Sequence, residues 1–203
     1  MHLFTVGHST YDLEYFLTLL KAYNINCIVD VRSTPYSKYS TQYNKDSIKA
    51  VLKSNNITYI YMGKEFGARR SSRDVYSREG YVDFERVRHD IDFKAGIDRI
   101  KVGLEKGYNI AFMCTEKKPD ECHRCILVGR NFKDLGYTVI NIINEKEYKL
   151  QEDIERNLLE IYYPDRNQIA LIPDMNLSSK SDEELINEAY KLRNKEIGYR
   201  GDE

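Results

Sequence analysis

The chain has 203 residues, 41% hydrophobic and 31% charged, with a formal net charge of −1 at pH 7. That length supports one α/β domain with a sizeable core and a tail, and no stretch approaches the roughly 18 apolar residues of a membrane span. The charge balance hides an asymmetry: residues 32–88 carry 12 Lys/Arg against 6 Asp/Glu, and residues 144–203 carry 9 against 15. The middle segment could therefore face an anionic ligand, or it is a solvated surface that offsets the acidic tail. Of the four cysteines, three fall within residues 114–125, which is not the layout of a disulfide framework. With no signal-peptide pattern at the amino end, a reducing cytoplasm is the expected compartment.

In chain order, residues 3–6 predict a first strand, followed by a polar turn through Gly7, His8, Ser9 and Thr10. Asp12 is a candidate N-cap, and Leu13, Phe16, Leu17 and Leu20 mark one helical face. Residues 27–31 predict a buried strand, residues 32–43 a polar loop, residues 45–54 a helix and residues 57–61 a third strand. Residues 62–80, rich in Gly, Ser and Arg, predict an exposed loop, and residues 83–106 one long helix with Gly96 and Gly103 as weak points. A fourth strand ends at Cys114, a helix runs from Cys125 to Leu135 and stops at Gly136, and residues 138–143 form a last core strand. This alternation predicts a three-layer, Rossmann-like α/β fold with a mostly parallel five-stranded sheet over residues 1–160.

Residues 161–203 read as a C-terminal extension. Tyr163, Pro164 and Asp165 break the preceding helix, and residues 169–173 are a short apolar run. Ser181 and Glu184 form a capping box that opens a helix with Leu185, Ala189 and Leu192 on one side. That helix is expected to pack on the domain or to join a homodimer.

In open α/β sheets, ligands sit beyond the carboxyl ends of the strands. The polar residues expected there are Gly7-His8-Ser9, Arg32, Met62-Gly63-Lys64 and Cys114-Thr115-Glu116. Cys114 ends a strand, and Cys122, His123 and Arg124 open the next helix. A helix start offers free N–H groups and a positive dipole end, which bind anions and favour thiolate.

Thr5-Val6-Gly7-His8-Ser9, Val29-Asp30-Val31-Arg32, Gln42-Tyr43-Asn44, Cys114 with Glu116-Lys117, and Cys122-His123-Arg124 occur in this order. Together they resemble domain-of-unknown-function family 488, over residues 3–143. Phe93, Gly96 and Ile97 match that family's long helix. The resemblance implies a compact α/β domain and supplies no reaction. A second likeness is to the rhodanese layout, through Asp30-Val31-Arg32, Cys114, Arg124 and Gly136-Tyr137. Cys114 and Arg124 lie ten residues apart, longer than a rhodanese loop, so only the layout is shared.

Cys114 is the expected nucleophile or sulfur-carrying thiol, with His8, His123 and Glu116 handling protons. Ser9, Arg32, Tyr43, Lys64, Arg69 and Arg124 are the expected substrate-binding groups, and Asp30 and Cys122 are supporting. Asp30 is expected to orient Arg32, whose guanidinium fork suits carboxylate or phosphate. Four zinc ligands could come from Cys114, Cys122, His123 and Cys125. The spacing is not a paired knuckle and adjacent Cys122 and His123 point apart on a helix, so no metal or other cofactor is expected. Tyr36, Tyr39 and Tyr43 among Arg32, Lys38 and Lys45 could stack bases, but 17 tyrosines make such a cluster unremarkable by composition. The reading is an enzyme acting on a small anionic substrate. The alternatives are a nucleotide- or nucleic-acid-processing enzyme in which Cys114 only shapes the pocket, and a non-catalytic ligand-binding module.

Overall fold

The computed structural model describes residues 1–166 and 180–201. Its helices are α1 (Leu13–Ala22), α2 (Lys45–Ser54), α3 (Gly63–Phe66), α4 (Phe84–Val87), α5 (Ile91–Glu105), α6 (Arg130–Asp134), α7 (Gln151–Tyr162) and α8 (Asp182–Ile197). The strands are β1 (His2–Gly7), β2 (Cys27–Asp30), β3 (Thr58–Tyr61), β4 (Ile110–Cys114), β5 (Thr138–Ile142) and β6 (Tyr148–Leu150). They form one sheet in the order β3-β2-β4-β1-β5-β6, parallel except for the β5–β6 pair. The sixth strand is an addition to the five expected. It is three residues long with two exposed positions, so it leaves no hydrophobic signature. With β4 between β2 and β1, the order is not the 3-2-1-4 arrangement of the dinucleotide-binding fold.

Alternation along the strands feeds two cores. Phe4, Val6, Ile28, Ala111 and Met113 pack with Phe16 and Leu20 of α1 and with Ile48 and Leu52 of α2. Leu3, Val29, Phe112 and Cys114 face Phe93 and Ile97 of α5, Phe132 of α6 and Leu158 of α7. The chains leaving β1 and β2 therefore cross to one face, and those leaving β3 and β4 to the other. Beyond the carboxyl end of β4 the connections diverge to opposite sides, which is where a crevice opens in an α/β sheet.

The expected helix over residues 83–106 is split. Asp83 caps α4 by accepting from the N–H groups of Glu85 and Arg86, and Asp90 caps α5 by accepting from those of Asp92 and Phe93. Two aspartates compete with the helix for its own N–H groups, which periodicity does not register. The loop expected over residues 62–80 contains α3 and a single 3-10 turn, Arg73–Val75. Gly96 lets α5 approach α3, since a Cβ there would lie 2.8 Å from Glu65 Cβ and 2.9 Å from Phe66 Cζ.

The C-terminal helix packs on its own domain. Tyr190 and Ala189 join the second core, and Asn194 bonds the backbone of Val82 and Phe84. Leu192, expected inside, is 40% exposed, because Tyr190 and Asn194 set the buried face instead. The inner face of α8 is thus occupied within the chain, as expected of a helix that packs on the domain. Residues 169–173 lie outside the described residues. No helix among the described residues is long and apolar enough to cross a membrane.

Candidate functional site

Arg32 and Asp30 form the most buried ion pair of the sheet's carboxyl edge. Asp30 Oδ1 accepts from Arg32 Nε at 2.9 Å, and Oδ2 accepts from Arg32 Nη2 at 2.6 Å. Asp30 also accepts from the Arg32 N–H and from the Tyr59 hydroxyl. A carboxylate at the end of an apolar strand is tolerable only with this many donors.

His8 completes the arrangement from β1. Its Nδ1 donates to the Ser9 carbonyl at 2.9 Å, so Nε2 accepts from Arg32 Nη1 at 3.2 Å. The ring stacks on Tyr43 with centroids 3.9 Å apart. Burial, then the Arg32 charge, lowers the His8 pKa to about 4. His8 therefore positions Arg32 and has no free nitrogen for a general base. Because the folded pKa lies below the unfolded value, this group's contribution to stability is present above about pH 6.5 and is lost as pH falls towards 4. The stability difference between the native chain and His8→Gln is expected to shrink by about 2 kcal/mol between about pH 7.5 and about pH 5. Urea titrations at both pH values test this, and a pH-independent difference would contradict it.

The second half of the site comes from β4 and the turn after it. Cys122 is extended (φ −136, ψ 138) and stands before the helix, while His123 begins it (φ −58, ψ −25). The two side chains therefore do not diverge as neighbours on a helix would. Both sulfurs approach the same ring nitrogen: Cys122 Sγ is 3.8 Å and Cys114 Sγ 3.9 Å from His123 Nδ1. His123 Nε2 donates to the Val31 carbonyl at 3.0 Å. Glu116 Oε2 lies 2.9 Å from Cys122 Sγ, and the Arg124 N–H points at that sulfur from 3.5 Å. The helix opens with a π-helical turn, Arg124–Gly129, a form found often beside functional sites.

Burial pushes the Cys114 thiol well above its usual range. Burial acts the same way on Cys122, but a hydrogen bond from Cys114 and the charges of Arg124 and His123 outweigh it, so the net direction for the Cys122 thiol is well below its usual range. Burial also raises the Glu116 pKa, with Cys122 adding to the effect. For His123, burial lowers the pKa but is outweighed by Cys122 and Glu116, and the net direction is upward.

A cleft of about 290 Å³ opens over this group, lined by Cys114, Glu116, Cys122, His123, Arg32 and Arg69 among others. Six of the residues singled out from the sequence thus meet. The others lie elsewhere. Arg124, expected to bind substrate, is fully buried, and its guanidinium donates to the carbonyls of Glu116 and Lys117. Tyr43 is wholly inside the first core and stacks on His8, so it offers no surface to a base. Ser9 is a turn residue at φ 47, outside the cleft lining. Lys64 pairs with Asp92 at 2.9 Å and lines the adjoining cavity. Cys125 is in the core, bonded to Gln151.

Ser33, Thr34, Glu121, Ile197 and Tyr199 also line the cleft and were not anticipated. Ser33 and Thr34 simply follow Arg32, whereas Ile197 and Tyr199 arrive from the end of α8, with no local signal.

The protein is of the α/β class, with a mostly parallel sheet and cysteine, imidazole and carboxylate side chains gathered at its carboxyl edge. The chain belongs to the family described as Domain of unknown function DUF488, whose model matches residues 12–130. The matched span includes Asp30, Arg32 and residues 114–124 and leaves out the Gly7-His8 turn. No curated protein and no solved structure matches the chain.

Proposed function

We propose that the protein is a thiol-dependent enzyme of transferase or hydrolase type, acting on a small anionic substrate in a reducing compartment. The observation that supports this best is that two thiols, an imidazole and a carboxylate open into one cleft together with Arg69. Arg69 has no carboxylate partner among the described residues and lies 4.8 Å over the Tyr199 ring, so its charge is available to an anion. Cys122 rather than Cys114 is the nucleophile in this reading, since it receives the Arg124 N–H and lies against Glu116. Its sulfur would bond to the electrophilic atom of the substrate as the leaving group departs with a proton from Glu116 or His123.

In reduced, metal-free protein near neutral pH, iodoacetamide is expected to label Cys122 first, followed by peptide mass spectrometry to assign the site. Burial holds Cys27 at about 11 and Cys125 at about 12, so these two are expected to stay slow. Cys122 labelling no faster than Cys125 would refute the nucleophile role.

A second reading, processing of nucleotides or nucleic acid, is favoured by one observation. Arg69 also lines a neighbouring cavity with Arg70, Arg73 and Tyr76. It predicts binding of short single strands that weakens steeply with salt.

A further inference from the structure

We infer that Cys114, Cys122 and His123 form a binding site for a soft divalent cation of the zinc class, with a fourth coordination position open to the cleft. The two sulfurs and His123 Nδ1 all lie within 4.8 Å of one another. The sulfur-to-nitrogen separations are 3.9 and 3.8 Å. Around tetrahedral zinc, with Zn–S about 2.3 Å and Zn–N about 2.0–2.1 Å, the corresponding edge is about 3.6 Å. The two sulfur-to-nitrogen edges therefore need shorten by only a few tenths of an ångström, and the two sulfurs, within 4.8 Å of one another, would close to the roughly 3.8 Å edge of a tetrahedral site.

The imidazole is oriented as a metal ligand. A ligating histidine characteristically donates its other ring N–H to a carboxylate or backbone carbonyl, which fixes the tautomer and aims the free lone pair. His123 does this through Nε2 and the Val31 carbonyl, leaving Nδ1 between the sulfurs. The donor set of two thiolates and an imidazole suits zinc or cobalt(II) and not magnesium or calcium. Glu116 touches Cys122 but is not within reach of all three donors, so it stands beside the ion and not in the ligand set. Three protein ligands with one open position is the pattern of a site where the cation can meet another molecule. Binding exchanges the thiol proton of each coordinating sulfur that carries one for the metal bond, with the protons released to solvent.

This inference uses the side chains of the proposed function but does not rest on it, because it requires only ligand atoms and no reaction. The two also make opposite demands: a coordinated thiolate is shielded from electrophiles, so the cation would govern whether Cys122 can react.

Cobalt(II) added to the reduced, metal-free full chain is expected to bind one ion per chain and give sulfur-to-cobalt charge-transfer absorption, displaced by one equivalent of zinc. Cys122→Ser and Cys114→Ser are each expected to weaken binding more than about 100-fold, beyond the about 10–100-fold that loss of an outer-shell partner produces. Should either serine variant fail to fold, His123→Gln tests the same set. Cys27→Ser, at the amino end of β2 and so at the opposite edge of the sheet, is expected to bind as the native chain does. Iodoacetamide labelling of Cys122 is expected to slow about tenfold or more with zinc and to recover with chelator. Absence of the charge-transfer absorption, or its persistence in the Cys114 and Cys122 variants, would overturn the metal site. Rapid labelling of Cys122 in metal-free protein would in that case still support the thiol reading, so the two can fail separately.

Discussion

Asp30→Asn is expected to lower the unfolding free energy by about 3–5 kcal/mol, the cost of breaking a buried charge pair from one side. Asp30 is fully buried and accepts four hydrogen bonds: three from Arg32 and one, at 2.7 Å, from the Tyr59 hydroxyl. The asparagine keeps the shape but removes the charge, and its amide N–H₂ would face donors. Arg32 is itself 6% exposed, so its guanidinium would be left inside without a counter-ion. The damage should spread, because Arg32 Nη1 serves His8 and Nη2 also serves the Tyr43 carbonyl. A double variant, Asp30→Leu with Arg32→Met, is expected to recover most of the lost stability while emptying the cleft of its Arg32 wall. Denaturant unfolding of the three proteins measures this. A single variant within about 1 kcal/mol of the native chain would show that the pair is not what holds this edge together.

Gly7→Ala is expected to cost about 3 kcal/mol or more, at the upper end for a single added methyl group. The reason is not conformational freedom. A Cβ at Gly7 would sit 2.0 Å from the Glu116 carbonyl oxygen, 2.9 Å from its carbon and 3.1 Å from Arg124 Nη2. Neither neighbour can easily yield. The Glu116 carbonyl accepts from Arg124, the chain before it is tied down by His8 N–H on the Cys114 carbonyl and Ser9 N–H on the Thr115 carbonyl, and the chain after it by Arg124 Nη2 on the Lys117 carbonyl. Relief therefore requires moving residues 114–116 as a unit, which displaces Cys114 and Glu116 from the cleft. Gly80→Ala is the comparison. Its φ is +82, yet nothing lies within 4 Å, so only the backbone cost of about 1 kcal/mol applies. Equal losses for the two variants would mean that the Gly7 contact is dispensable. In addition, Gly7→Ala is expected to reduce cobalt affinity, whereas Gly80→Ala is not.

The class of fold was legible in the chain because buried parallel strands are short apolar runs separated by amphipathic helices, and such patterns are local. The positions of β1 to β5, α1 and α2 follow from them. So does the prominence of residues 114–124, where four chemically reactive side chains are concentrated in the sequence. Other features were not legible. Strand order depends on which apolar edges meet, and no residue encodes that by itself. The interruption between α4 and α5 came from two aspartates competing for backbone N–H groups, and β6 from a partner strand offering a free edge.

For the site, the sequence by itself determined which chemical groups were available and that they gather near strand ends. Only the tertiary structure decided their roles, because role depends on which lone pair is left over after the neighbours have taken theirs. His8 spends both nitrogens on Ser9 and Arg32, and Arg124 spends its Nη1 and Nη2 groups on two carbonyls. His123 bonds Val31, distant in sequence, and so turns Nδ1 towards the sulfurs. Adjacent Cys122 and His123 converge because one is extended and the other helical, a change of backbone conformation within a single peptide link. The cleft itself needs Tyr199 and Arg69 to meet over residues 114–123; long-range packing of α8 brings Tyr199 there, and the Arg69 N–H bond to Ser33 Oγ holds the other side.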